Sequence, residues 1–261
     1  MASAQISTET NAFGGEIVDP ASVERDPDRF RDQLSALVTA SRKRGTKVVW
    51  LALDLSRAAL IPVAVDAGFT FHHAAGAQVQ MTICIVEGSY VPPYATHYIG
   101  AGGVVLKDPK TMLVVAERYG KRSRRHYKLP GGALHAGEHI EEAVTREVLE
   151  ETGIETSFVS LNCFRHWHGY RHGKSDIYFV CRLEALTHEI SRQEEEIEEC
   201  LWMPIAEYLA HADVHAFNKR VVRAVLSEAG LKPEPIEGYG TPKTHELFMP
   251  FSPSGTGDGR A

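Results

Sequence analysis

The sequence predicts an α/β (α+β) chain made of consecutive units, and three observations carry that prediction. Stretches with apolar residues at helical spacing alternate with short β-branched and aromatic runs. The segment Val91-Pro92-Pro93-Tyr94 punctuates the chain between two such series. Downstream, residues 132–154 compress a glycine-rich turn, a helix and a carboxylate cluster into 23 residues. At 261 residues the chain is long for one average domain and short for two large ones, so two modest domains are expected.

Residues 1–12 are polar and read as a flexible N-terminus, and the first α/β unit runs over 13–95. Pro27 opens a helix in which Phe30, Leu34, Leu37 and Val38 recur at helical spacing, and Gly45 stops it. Lys47 to Leu53 is a buried-strand run. Leu55 to Ala67 reads as a second helix closed by Gly68, with Pro62 awkward in its middle. Phe69 to Ala74 and Met81 to Val86 follow as strands.

The second unit spans 96–229. Gly102 to Leu106 and Met112 to Glu117 read as a strand pair across Lys107-Asp108-Pro109-Lys110. Tyr127-Lys128-Leu129-Pro130 leads into the glycine turn and its helix. Phe158 to Arg165, Asp176 to Leu183 and Cys200 to Met203 are further strands, and Glu207 to Ala229 is helical with a break around His211 to Val214. Proline, glycine and serine dominate 230–261, a tail that is either loosely ordered or packed as an extended strap.

The helix carries the chemistry. Glu147, Glu150 and Glu151 stand at i, i+3 and i+4, where side chains are neighbours and like charges repel. Ile140, Ala143, Val144 and Val148 share the side of Glu147 and Glu151, with Glu150 flanking it. Glu141, Glu142, Thr145 and Thr152 are assigned to the opposite, wet face. Ionised carboxylates turned toward a core are costly unless paired or bound to metal. Hard oxygen ligands favour Mg²⁺ or Mn²⁺. Gly131 and Gly132 allow a close approach ahead of a helix start, whose N–H groups suit a phosphate. Arg146 is placed to bridge back to Glu138 and lock loop to helix, a structural pair.

Composition excludes several classes. A net charge of −6 does not suit a general nucleic-acid or anionic-membrane binder. Residues 1–15 lack the basic start and apolar stretch of a secretory leader, and no run approaches a membrane span. Cys84, Cys163, Cys181 and Cys200 are scattered and form no CxxC pair, which suits reduced thiols in a cytoplasmic protein.

The run from Gly132 to Ile154 resembles the Nudix signature: glycine, five residues, Glu138, seven residues, Arg146-Glu147, aliphatic Val148, one residue, Glu150-Glu151, one residue, Gly153 and aliphatic Ile154. Every specified position is filled. The resemblance implies a Nudix α/β/α sandwich with a mixed sheet, hydrolysing a nucleoside diphosphate linked to another group with divalent metal on this helix. Further segments resemble one Nudix subgroup, that of plant ADP-ribose and NADH pyrophosphatases and the animal member encoded antisense to basic fibroblast growth factor. They are Phe13-Gly14-Gly15-Glu16, Phe71-His72-His73-Ala74, Tyr94-Ala95-Thr96-His97, Ser175-Asp176 and the stretch from Glu196 to Trp202. In that subgroup the first domain is similar in shape to part of an acetyltransferase fold, and a homodimer is plausible.

The resemblance implies roles for particular residues. Glu147, Glu150 and Glu151 are expected to hold Mg²⁺ or Mn²⁺, with the Gly132 or Gly131 carbonyl as an additional ligand. The proton of the attacking water goes to one of these glutamates or to a distal one, for which Glu196 is the choice. Arg118, Lys128, Gly131 and Tyr170 are candidates for substrate contact, within a segment that also carries the basic residues Lys121, Arg122, Arg124 and Arg125 and, later, the aromatic loop around Trp167. The expected substrate is a small nucleotide diphosphate, ADP-ribose or NADH. The alternatives are a dinucleoside polyphosphate or other nucleotide, or a binding and regulatory protein with incidental catalysis.

Overall fold

The computed structural model describes residues 5–119, 126–235, 238, 241 and 243–250. These fall into two compact units, one ending at Ala95 and the other beginning at Thr96. No helix among the described residues is long and apolar enough to cross a membrane. The basic residues 121, 122, 124 and 125 lie outside the described set.

In the first unit, β1 (Thr8–Thr10), β2 (Glu16–Val18), α1 (Pro27–Arg44), β3 (Val48–Asp54), α2 (Ile61–Asp66), β4 (Thr70–Ala75) and β5 (Gln78–Cys84) follow in order. The strands form a sheet ordered β1-β2-β3-β5-β4. Asp26 caps α1 through the Arg29 N–H at 3.0 Å, Pro27 occupies its first turn, and Gly45 ends it at φ 75°. Its buried stripe of Phe30, Leu34, Leu37 and Val38 packs with Val49, Leu51, Leu53 and Met81. A buried carboxylate fastens the unit: Glu16 accepts from Ser41 Oγ at 2.9 Å, Thr46 Oγ1 at 2.6 Å and Arg44 Nε at 2.8 Å. The Arg44 guanidinium and these hydroxyls hold its pKa at about 2, well below the ordinary range.

Two expectations need correction here. The stretch expected to be flexible contains a strand: residues 8–10 pair antiparallel with β2, and nearby Ile6 is buried. The helix expected over Leu55 to Ala67 is a 3₁₀ segment, Leu55–Leu60, followed by α2, and Pro62 sits in the first turn of α2. There its missing N–H costs no intrahelical bond, which is why the chain tolerates it.

The second unit comprises β6 (His97–Asp108), β7 (Thr111–Glu117), β8 (Tyr127–Lys128), β9 (Gly131–Ala133), α3 (Ile140–Thr152), β10 (Thr156–Trp167), β11 (Ser175–Ala185), β12 (Ile197–Pro204), α4 (Ile205–Ala210), α5 (Ala216–Ser227), β13 (Leu231–Pro233) and β14 (Phe248–Pro250). The sheet is ordered β12-β7-β6-β11-β10-β13-β14, with β6 and β11 parallel and the rest antiparallel. Alternation along β6 sends Ala101 and Val105 to the α3 side, with Val144 and Val148, and Val104 and Leu106 to the α5 side, with Val222 and Val225. Helices therefore cover both faces of a mixed sheet.

The sheet splits where the site forms. β6 and β7 pair only near their hairpin, at Leu106↔Met112 and Asp108↔Thr111. Beyond it, β8 pairs with β7 and β9 with β6, so the chain from Tyr127 to Ala133 fills the opening. The tail resolves in favour of the strap where it is described: β13 joins β10, and β14 joins β13.

Candidate active site

The helix α3 starts at His139, whose N–H donates to the Glu142 carboxylate at 3.1 Å, and ends on Gly153 at φ 73°. Ile140, Ala143, Val144, Val148 and Glu151 are buried as the spacing predicts. Thr152 is buried too, contrary to expectation. It stands four residues after Val148 on the same side, and its hydroxyl donates to the Val148 carbonyl at 2.5 Å.

The glycine turn and the carboxylates interlock. Gly131 has φ 143° and lies against Gly102, so that a Cβ there would stand 2.5 Å from the Gly102 Cα. Its N–H donates to Glu151 Oε2 at 2.9 Å. Gly132 lies under the Glu147 carboxylate: a Cβ would stand 2.5 Å from Glu147 Cδ and 2.6 Å from Oε1. The two glycines are thus required for different reasons: the backbone of β6 fills the space a side chain would take at Gly131, and the Glu147 carboxylate fills it at Gly132.

Arg146 stands among the acids. Its Nε donates to Glu138 Oε1 at 2.6 Å and its Nη2 to Oε2 at 3.0 Å, the expected loop-to-helix lock. Nη1 reaches both Glu147 and Glu150 at 3.0 Å, and Nη2 also donates to the Ala133 carbonyl at 3.2 Å. The fork holds the Glu138 carboxyl at about 2. Lys128 performs the second neutralisation, with Nζ 2.6 Å from Glu117 and 3.7 Å from Glu151. Glu151 is 6% exposed, and burial pushes its pKa up to about 7 despite Lys128 and the Gly131 N–H.

Five carboxylates (Glu117, Glu138, Glu147, Glu150 and Glu151) therefore share two cationic side chains, Arg146 and Lys128. That surplus of hard oxygen donors beside a bare glycine turn suits a divalent cation. Among the described residues, no three His, Cys, Asp or Glu side chains converge as a ready-made metal cage. Arg146 draws Glu147 and Glu150 toward itself instead. Glu150, 54% exposed, is the acid freest to turn away.

The remaining predicted residues stand outside this cluster. Arg118 and Glu196 are neighbours, joined by the Arg118 N–H to the Glu196 carbonyl at 2.8 Å, one residue beyond Glu117. Both side chains are exposed. Tyr170 lies with Tyr98 and Trp167, ring centroids 5.9 and 5.8 Å apart, ahead of β11. Two residues that sequence reasoning missed bear on the helix and its surroundings. Glu246 caps α3 from the tail, accepting the Ile140 N–H at 2.7 Å, and Tyr127 donates to Glu199 at 2.8 Å. No local pattern announces either, since their partners lie 106 and 72 residues away.

All four cysteines are free, and burial pushes the Cys200 thiol up to about 12.

Comparison with known proteins decides the family. The profile described as "NUDIX domain" matches residues 97–225, and one described as "Nudix hydrolase domain" matches 6–85. "Nudix hydrolase 8" of Arabidopsis thaliana is 39% identical over 246 residues, covering 90% of this chain and 67% of that protein. "Nudix hydrolase 2" of the same plant is 37% identical, covering 76% and 71%. The chain belongs to the Nudix hydrolase family. Human "Nucleoside diphosphate-linked moiety X motif 6" is 33% identical over 226 residues, covering 84% of this chain and 71% of that protein. Among solved structures, a NUDIX hydrolase from Nitrosomonas europaea is 25% identical with a TM-score of 0.42, covering 49% of this chain and 86% of that one. This Nudix hydrolase is accordingly a pyrophosphohydrolase of small nucleoside diphosphate derivatives, a family that generally uses divalent metal.

Proposed function

We propose that this Nudix hydrolase cleaves the diphosphate of ADP-ribose or NADH, releasing AMP, with Mg²⁺ or Mn²⁺ held by Glu147, Glu150, Glu151 and the Gly132 carbonyl. The observation that carries the metal site is the surplus of carboxylates packed against Gly131 and Gly132. The substrate choice rests on the subgroup resemblance of segments outside the helix. A bound divalent ion supplies charge for the phosphoryl oxygens and a more acidic water. The chain's own residues do the rest. Arg146 keeps turn and helix in register, and Lys128 balances Glu151 against Glu117. Glu196, exposed on the turn bonded to Arg118, takes the proton of the attacking water in this reading. Arg118 and Tyr170 meet the substrate from the rim.

The test is product release from ADP-ribose, NADH and a dinucleoside polyphosphate, with Mg²⁺, Mn²⁺ or EDTA. AMP release from ADP-ribose or NADH that disappears in EDTA is expected. Turnover confined to the dinucleoside polyphosphate would replace the substrate assignment. AMP release undiminished by EDTA would remove the metal from the reading.

A further inference from the structure

Arg165 is the least expected side chain of the catalytic unit. It stands on β10 opposite Tyr178 on β11, 30% exposed, and is ion-paired to Asp176, which is buried. Three rings surround its guanidinium: Trp167 at 5.1 Å, Phe217 at 5.4 Å and Tyr178 at 5.5 Å. An arginine carries five N–H donors. Here the only hydrogen bond among the described residues goes to Asp176, and Nε is buried without an acceptor. Nε is thus a buried donor that a further acceptor would satisfy.

Tyr178 supplies the second unused group. Its hydroxyl makes no hydrogen bond among the described residues and lies over Gly102, where a Cβ would overlap it. Gly102 in turn abuts Gly131, whose N–H holds Glu151. A continuous line thus runs from the carboxylates over the two glycines to Tyr178 and Arg165.

We infer that Arg165 and Tyr178 bind the planar ring of the substrate's nucleoside, a role that rests on the nucleotide-hydrolase reading and deepens it. The guanidinium edge and the phenol donate to a carbonyl or ring-nitrogen acceptor, while the faces of Phe217 and Trp167 cover the ring. Charge decides between a ring and a second phosphate. Asp176 already neutralises Arg165 and the walls are aromatic, so the pair suits an uncharged planar group and not another anion. Arg165 is a specificity residue on this account and takes no part in bond cleavage.

The test compares AMP with ribose 5-phosphate in equilibrium calorimetry on the full chain in EDTA, where no turnover is needed. Wild type is expected to bind AMP more tightly than ribose 5-phosphate. Arg165→Lys keeps the charge and loses the fork. It should weaken AMP about tenfold, with ribose 5-phosphate unchanged. With ADP-ribose and metal, KM should rise by a similar factor while kcat stays within about twofold. Tyr178→Phe retains the ring and should weaken AMP several-fold, and it carries the test if Arg165→Lys melts early. Equal weakening of both ligands, no weakening of either, or wild type that does not favour AMP would overturn the assignment. Because the calorimetry needs no catalysis, a failed ring site stays distinguishable from a failed hydrolase reading.

Discussion

Gly132→Ala separates geometry from stability at this site. An added Cβ would stand 2.5 Å from Glu147 Cδ and 2.6 Å from Oε1, where ordinary Cβ contacts begin at 3.4 Å. The carboxylate must therefore recede by about 1 Å. It can, because it is the far end of a flexible side chain, so the fold should lose no more than about 1 kcal/mol. A displacement of about 1 Å in a catalytic group is enough to cost roughly 100-fold in rate. Gly131→Ala is the counterpart. Its φ of 143° disfavours any side chain, and the new Cβ meets the Gly102 Cα, which is backbone and cannot recede. Strain of about 1–3 kcal/mol and overpacking of similar size add to roughly 4 kcal/mol, lowering the melting temperature by about 10 °C. Metal-dependent turnover and thermal melting of both variants decide the matter. Wild-type turnover in Gly132→Ala, or melting as low as that of Gly131→Ala, would refute the claim that this glycine exists to seat Glu147.

Three further outcomes are expected. Glu150→Gln, at a half-exposed position, should melt like wild type and lose at least ~100-fold in hydrolysis; unchanged turnover would end the metal-helix mechanism. Glu16 ionises at about 2 when folded against an ordinary 4.5, so its stabilisation is present above pH 4.5 and is lost as pH falls toward 2. Denaturant unfolding should show Glu16→Gln about 3 kcal/mol less stable than wild type at pH 7, with the gap closing by pH 2.5; a gap independent of pH would exclude this account. Glu246→Ala should cost about 1 kcal/mol and speed amide exchange at Ile140, whereas protection equal to wild type would mean that the tail does not cap α3.

What was legible in the sequence is what local geometry dictates. Glu147, Glu150 and Glu151 lie within one 13-residue helix, so their mutual placement follows from its pitch, and the Glu138–Arg146 lock spans only eight residues. Thr152 obeys the same pitch, since i+4 spacing from Val148 puts it inside and not on the wet face. Pro62 misled because a proline reads as a breaker until the preceding turn is known to be 3₁₀. The identity of the cation among the acids was the deeper omission. Crowded carboxylates demand positive charge, but spacing alone does not say whether a metal or a side chain supplies it. Arg146 stands four residues before Glu150, so helical pitch brings that pair together, while the rotamer that carries its guanidinium past Glu138 decides that Glu147 shares it. Long-range partners were hidden for a different reason. Arg165 meets Asp176 because β10 and β11 pair antiparallel, and Tyr178 meets Gly102 because β11 lies parallel to β6. A parallel neighbour cannot be deduced from a hairpin, since nothing in the intervening chain fixes its register. The residues placed by that register are the ones assigned to the nucleoside ring, whereas the motif that marks the family handles the diphosphate its substrates share. The part of a Nudix site most readable from sequence is therefore the part least informative about its substrate.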